Sequence, residues 1–208
     1  MNTRWTPDAY SRRIQALHWL SAALISIMIP LGFCMQGIES QQLELFALRL
    51  HVLLGAVVLA LTALRLIWRW MDESPGPLPG LSPLHRRLVG AIHALLYLIL
   101  GGLSISGLVL LMQSGLGGVL LGLSSDPIPA NLSEYLPRQA HGVEARVYIA
   151  LLAAHVCGVI LHQLTRGEVL SRMGIQVGQA ARRRASGNVF GTAAPATCQP
   201  DAAARRSS

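Results

Sequence analysis

Four stretches of this chain are apolar almost without interruption, and segments rich in polar residues, proline or glycine separate them. The first, "IQALHWLSAALISIMIPLGFCM", covers 14–35, and the second, "LHVLLGAVVLALTALRLIW", covers 50–68. The third, "LVGAIHALLYLILGGLSISGLVLLM", covers 88–112, and the fourth, "HGVEARVYIALLAAHVCGVILHQ", covers 141–163. Each reaches or nearly reaches the ~20 residues an α-helix needs to cross about 30 Å of hydrocarbon. Barrel strands would instead be about ten residues long and alternating. The pattern therefore predicts an all-α transmembrane protein, a four-helix bundle. Pro30, near the end of the first span, is expected to bend or terminate it.

The connections carry the orientation. Arg4, Arg12 and Arg13 precede the first span, Arg65, Arg69, Arg86 and Arg87 surround the 69–87 connection, and Arg166 and Arg172 follow the last span. Residues 36–48 and 113–140 hold few arginines. The positive-inside rule then predicts both termini and the 69–87 loop in the cytoplasm, an N-in/C-in topology. Trp19, Trp68 and Trp70 fall near the cytoplasmic ends, where indole rings favour the headgroup zone. The loop "DESPGPLPGLSP" (72–83) is too rich in Pro and Gly to continue a helix. "LGLSSDPIPANLSEYLP" (121–137) has room for a short interfacial turn on the outer side. From Gly174 the composition turns to Ala, Gly, Arg and Ser. Residues 1–173 are thus expected to form the membrane domain and 174–208 a disordered cytoplasmic tail, with arginines suited to anionic lipid heads.

Composition agrees with a membrane setting: 52% of the 208 residues are hydrophobic and 13% charged, against about 25% charged in soluble domains. The formal charge of +7 comes from 17 basic residues, all arginine, against 10 acids. They cluster between apolar runs, with no basic stripe interleaved with aromatics, so nucleic-acid binding is not expected. Arg12 and Arg13 before an apolar run raise the question of a signal peptide. Three further apolar segments follow, and the first is read as a retained helix. Cys34, Cys157 and Cys198 are too widely spaced for a disulfide framework or a metal-ligand pattern.

The histidines set the chemistry. His141, Tyr148, His155 and His162 recur at intervals of seven along the fourth span. At 1.5 Å per residue, His141 and His155 are separated by about 21 Å of rise and return to within about 40° of the same direction. His51 opens the second span at the outer side. His18 lies about 8 Å past Arg13, on the inner side. The imidazoles therefore pair by level, His51 with His141 and His18 with His155, and two such pairs can hold two b-type haems as axial ligands of the iron. Interhelical hydrogen bonding by neutral imidazoles is the structural alternative. Zinc is the weaker metal reading, because two ligands per level do not complete a tetrahedron. His93, about 9 Å past Arg87, lies at inner-haem depth and competes for a place in the inner pair. Gly55, Gly158, Gly101, Gly102 and Gly107 suit a flat macrocycle or close helix packing equally. Arg65 and Arg69 can meet a haem propionate or snorkel. Glu144 and Arg146 are either interfacial or serve the outer propionates. Tyr148 is a candidate for packing between the haems.

Together these residues resemble a known family. "YSRRIQALHWLSA" (10–22), "LHVLLGAVVLALTALRLIWR" (50–69), "AIHALLYLILGGLSISGLVL" (91–110), "HGVEARVYIALLAAHV" (141–156), "LHQL" (161–164) and "VLSRM" (169–173) carry a likeness to the bacterial cytochrome b561 family of four-helix dihaem membrane cytochromes. The resemblance implies His18 and His155 as ligands of the cytoplasmic-side haem and His51 and His141 as ligands of the periplasmic-side haem. It implies a location in the bacterial inner membrane. His162 matches a family histidine associated with the quinone region. The glutamate that often follows the first histidine of the fourth helix is here Gly142, with Glu144 nearby.

A haem with two protein imidazoles passes electrons in preference to binding oxygen. No phosphate loop or cysteine cluster offers a further cofactor site, so quinone is the natural membrane partner. Some family members resemble superoxide oxidases, which implies electron transfer from superoxide at the outer haem to ubiquinone at the inner one. Arg49 and Arg138 near the outer mouth are candidates to attract that anion, and His162 with His93 to meet the quinone. Two alternatives stand beside this expectation. One is a quinol-linked cytochrome serving a partner redox protein or a larger oxidoreductase. The other is a haem-free structural or sensor bundle.

Overall fold

The computed structural model describes residues 8–73, 75–76, 80–124, 128–129, 131–166 and 169–175. Arg4, Cys198 and nearly all of the expected tail lie outside them. Among the described residues all regular structure is helical: α1 (Arg12–Cys34), α2 (Gln41–Met71), α3 (Pro83–Gln113), α4 (Leu116–Leu120), α5 (Leu136–Arg166) and α6 (Val169–Arg172), with 3-10 turns at Met35–Gly37 and Leu132–Glu134. Four of these, α1, α2, α3 and α5, are long and apolar enough to cross a membrane.

The helices run past the apolar segments that predicted them. α2, α3 and α5 have 31 residues each, about 46 Å of rise, which matches a bilayer with its headgroup layers. Polar residues such as Glu44 and Arg49 therefore belong to α2, although they fall outside its apolar run. Pro30 lies inside α1, which continues to Cys34. Local caps explain two of the starts. The Ser11 hydroxyl accepts from the Ile14 N–H at the head of α1. Ser82 accepts from the His85 N–H, and Pro83 takes the first position of α3, where its missing N–H costs nothing. His85 thus sits in the first turn of α3.

One end of the bundle gathers both ends of the described chain and the 72–82 connection. The Tyr10 N–H donates to the Arg172 carbonyl at 3.1 Å, the Trp19 indole to the Met173 carbonyl at 2.9 Å, and Arg172 to the Gly76 carbonyl at 2.6 Å. Ser11 also donates to the Asp72 carboxylate. At the opposite end α4 folds against the bundle with Leu116 and Val119 buried.

The interior is divided. α1 lies against α2, α3 lies against α5, and α2 meets α3, yet among the described residues no Cα of α1 or α2 comes within 8 Å of α5. Hydroxyls inside the helices satisfy themselves locally: Ser21 donates to Leu17 and Thr62 to Val58. The outward faces are apolar and exposed, as at Leu53, Leu98, Ile105 and Leu164, which is the pattern of helices solvated by lipid chains.

Candidate functional site

Imidazoles fill the space between α5 and the α1/α2 pair. Near the α4 end, the rings of His51 (α2) and His141 (α5) face each other with centroids 6.2 Å apart and planes at 69°. Near the end where Tyr10 meets Arg172, His18 (α1) and His155 (α5) do the same at 6.5 Å and 72°. The side chains thus join helices whose backbones stay more than 8 Å apart. Both pairings match the depth argument from the sequence. Tyr148, halfway between the two levels on α5, is 6% exposed.

The spacing can be tested against an iron ion. Two metal–nitrogen bonds of about 2 Å, one on each side, put imidazole centroids about 6 Å apart. Both pairs meet this requirement without a backbone shift. His93 does not: its ring lies edge-on to His155 at 5.0 Å, too near for an ion between them, and its Nδ1 bonds to the Val89 carbonyl at 2.7 Å. His93 is therefore a neighbour of the inner pair. The Nδ1 atoms of His18 and His51 are buried without a hydrogen-bond partner, a state that costs about 1–3 kcal/mol per group unless something satisfies it. Among the described residues no three metal-ligating side chains converge. A closed tetrahedral site therefore has no ligand set here, whereas a porphyrin brings its own four nitrogens and needs only two protein ligands.

Small residues admit these rings. A Cβ added at Gly32 of α1 would lie 3.3 Å from His51 Cε1, and one at Gly107 of α3 would lie 3.5 Å from His141 Cε1. Gly107 is among the small residues the sequence singles out; Gly32 is not, because its contact with His51 lies on another helix. A Cβ at Gly55 would meet Met28, a contact between α1 and α2, while at Gly101 and Gly158 it would meet nothing within 4 Å.

Charged groups stand at both levels. Arg65 lies close enough to His18, His93 and His155 to act on their charge, and its guanidinium sits over the Tyr97 ring at 5.7 Å. Arg138, in the first turn of α5, stands in the same relation to His51 and His141. Either arginine is placed to meet a carboxylate near its imidazole pair. Arg69 lies over Tyr10, farther toward the terminal end. Arg49 is engaged differently: it donates to the Leu120 carbonyl at 2.9 Å and to the Val119 carbonyl at 3.3 Å, tying α4 to α2. Arg146 is exposed and donates to the Gly142 carbonyl within its own helix. Glu144 faces α3, where it accepts from Ser106 at 2.7 Å.

His162 is buried, and its Nε2 lies 3.2 Å from Nε2 of His85 across α5 and α3. The two rings border a cleft of about 460 Å³ together with Leu161 and Thr165. Sequence reasoning left His85 without a role, since its partner lies 77 residues away.

The chain is similar to known proteins. The family model for the prokaryotic cytochrome b561 matches residues 9–174. Cytochrome b561 homolog 2 of Escherichia coli (strain K12) is 34% identical over 111 residues, which cover 53% of this chain and 59% of that protein. The match therefore spans rather more than half the length of that relative.

Proposed function

The chain belongs to the prokaryotic cytochrome b561 family, as a multi-pass bacterial membrane cytochrome of the b type, and from that premise we propose that it moves electrons across the inner membrane from superoxide to ubiquinone through two haems. The observation that carries this reading is the stacking of two facing imidazole pairs, each with a spacing suited to one iron, along a single face of α5. His51 and His141 would hold the outer haem and His18 and His155 the inner one. A b-type haem held by two imidazoles has no open coordination position and supplies reversible one-electron transfer. With about 21 Å of helix rise between the two levels, the pairs offer a route between the faces of the bilayer. Tyr148 packs between them.

The arginine-flanked end, with Arg12, Arg13, Arg86, Arg87 and Arg172, faces the cytoplasm under the positive-inside rule. Arg138 then lies at the periplasmic mouth, where its charge raises the local concentration of an anion such as superoxide. Arg49 shapes that mouth by holding α4. On the cytoplasmic side, His85 and His162, their Nε2 atoms 3.2 Å apart, border a cleft with an apolar wall at Leu161, a composition suited to a quinone head group and its tail. Two superoxide anions release two electrons and leave two molecules of dioxygen. One ubiquinone takes up those electrons with two protons from the cytoplasmic side.

The test uses the purified full-length protein. A reduced-minus-oxidised spectrum should show b-type haem, and superoxide mixed with excess ubiquinone should yield ubiquinol at a haem-dependent rate. An intact haem spectrum without quinone reduction would favour service to a partner redox protein. A folded protein with no b-type signal would sink the haem reading altogether.

A further inference from the structure

The two imidazole pairs do not have the same surroundings. The His141 Nδ1 lies 3.1 Å from the Ser106 hydroxyl of α3, and that hydroxyl lies 2.7 Å from Oε2 of Glu144, one turn along α5. A serine hydroxyl has one proton. The shortest contact, to the carboxylate, takes it, in preference to the Leu103 carbonyl at 3.2 Å. Ser106 therefore has only lone pairs for His141, and the imidazole must be the donor. With the proton held on Nδ1, Nε2 keeps its lone pair. The inner ligand His155 instead has an imidazole, His93, as its ring neighbour, with centroids 5.0 Å apart.

The carboxylate has a place made for it. A Cβ at Gly102 of α3 would lie 2.7 Å from Glu144 Oε1 and 3.2 Å from its Cδ. Glycine at this position lets the acid sit against the α3 backbone. Ser106 is 8% exposed, so the bonds it makes are shielded from water and strengthened accordingly. An acid inside a membrane helix is costly and persists where it has something to do.

We propose that Glu144, acting through Ser106, is a positioning residue for the outer haem: it holds His141 as the Nδ1–H tautomer and makes its imidazole a stronger electron donor, which lowers the outer haem's reduction potential. The proposal rests on the dihaem reading above. Outer-shell acceptors act on metal-bound histidines in this way, by orienting the ring and raising its basicity. A nearby anion also stabilises the ferric state, which carries one more positive charge than the ferrous. Arg138 faces the same pair with opposite charge and stays in place in every variant below.

A redox titration of the intact holoprotein, followed optically, tests the proposal alongside low-temperature electron paramagnetic resonance of the ferric protein. Glu144→Gln and Ser106→Ala should each raise the potential of one haem, leave the other unchanged, and move only one of the two ferric signals. Gly102→Ala should move the same haem in the same direction, because its methyl displaces the flexible end of Glu144 without removing the acid. It also provides the measurement if Glu144→Gln fails to fold. The haem that shifts should be the one lost in His51→Ala. Two unshifted potentials, or equal shifts of both, would overturn the proposal while leaving the dihaem reading intact. A wild-type protein with fewer than two haems would instead refute the underlying reading.

Discussion

The His51 and His141 rings lie 6.2 Å apart on helices whose Cα atoms stay more than 8 Å from one another. The same relation holds one level deeper between His18 and His155. Helices that associate in a membrane usually do so through small residues at close approach. Here α1 with α2, and α3 with α5, take up that close packing, while imidazoles span the distance between them.

Because the two pairs share no residue, their losses should be separable. His51→Ala is expected to lower bound haem from two to about one per chain, and His18→Ala to do the same for the other haem. Haem-to-protein ratio measured by pyridine haemochrome, with the reduced spectrum of each variant, checks this. Equal depletion of both haems by either substitution would contradict independent levels.

Gly32 stands where any side chain meets His51. Alanine there requires the ring to yield by a few tenths of an ångström, since its Cβ would lie 3.3 Å from Cε1. Leucine requires the ring to leave. Gly32→Leu should therefore deplete the outer haem selectively, whereas Gly158→Ala, with nothing within 4 Å of its Cβ, should leave the protein's thermal stability in detergent unchanged. A haem content of two in Gly32→Leu would show that the ring has more freedom than its contacts imply.

Arg49 and Arg138 should separate by salt. If Arg138 gathers an anion, the rate with superoxide falls as ionic strength rises, and Arg138→Gln is slower by several-fold with a much flatter salt dependence. Arg49 acts through α4, and its bonds to Val119 and Leu120 contribute about 1 kcal/mol. Arg49→Gln should therefore speed proteolysis around residues 114–124 while keeping the salt dependence. Stopped-flow rates over a salt series and limited proteolysis decide between the two roles.

On the opposite face, His162→Ala should raise KM for ubiquinone by about tenfold, the equivalent of one lost hydrogen bond, with both haems retained. Steady-state kinetics against a short-chain quinone provide the number. An unchanged KM would place the quinone away from the His85–His162 cleft.

The four spans were legible in the sequence because lipid demands long, uninterrupted apolar runs, and little else produces them. Their ends were less so. α2 begins at Gln41, nine residues before its apolar run, because a helix continues through the headgroup layer, where polar residues such as Glu44 and Arg49 are tolerated. The imidazole pairing could also be read in advance, since helix rise converts sequence position into depth. His85 could not be placed that way: its significance comes from His162, on another helix.

What the sequence determined by itself is thus one-dimensional along the membrane normal: how many crossings, which histidines share a level, and which end is basic. The tertiary structure alone decided what lies sideways at each level. It set Gly32 beside His51, turned Arg49 to the carbonyls of α4, and placed Ser106 between His141 and Glu144. The physical reason is that hydropathy and rise act along each helix independently, whereas these contacts depend on the rotation and spacing of helices around one another. Only packing of the whole bundle determines those.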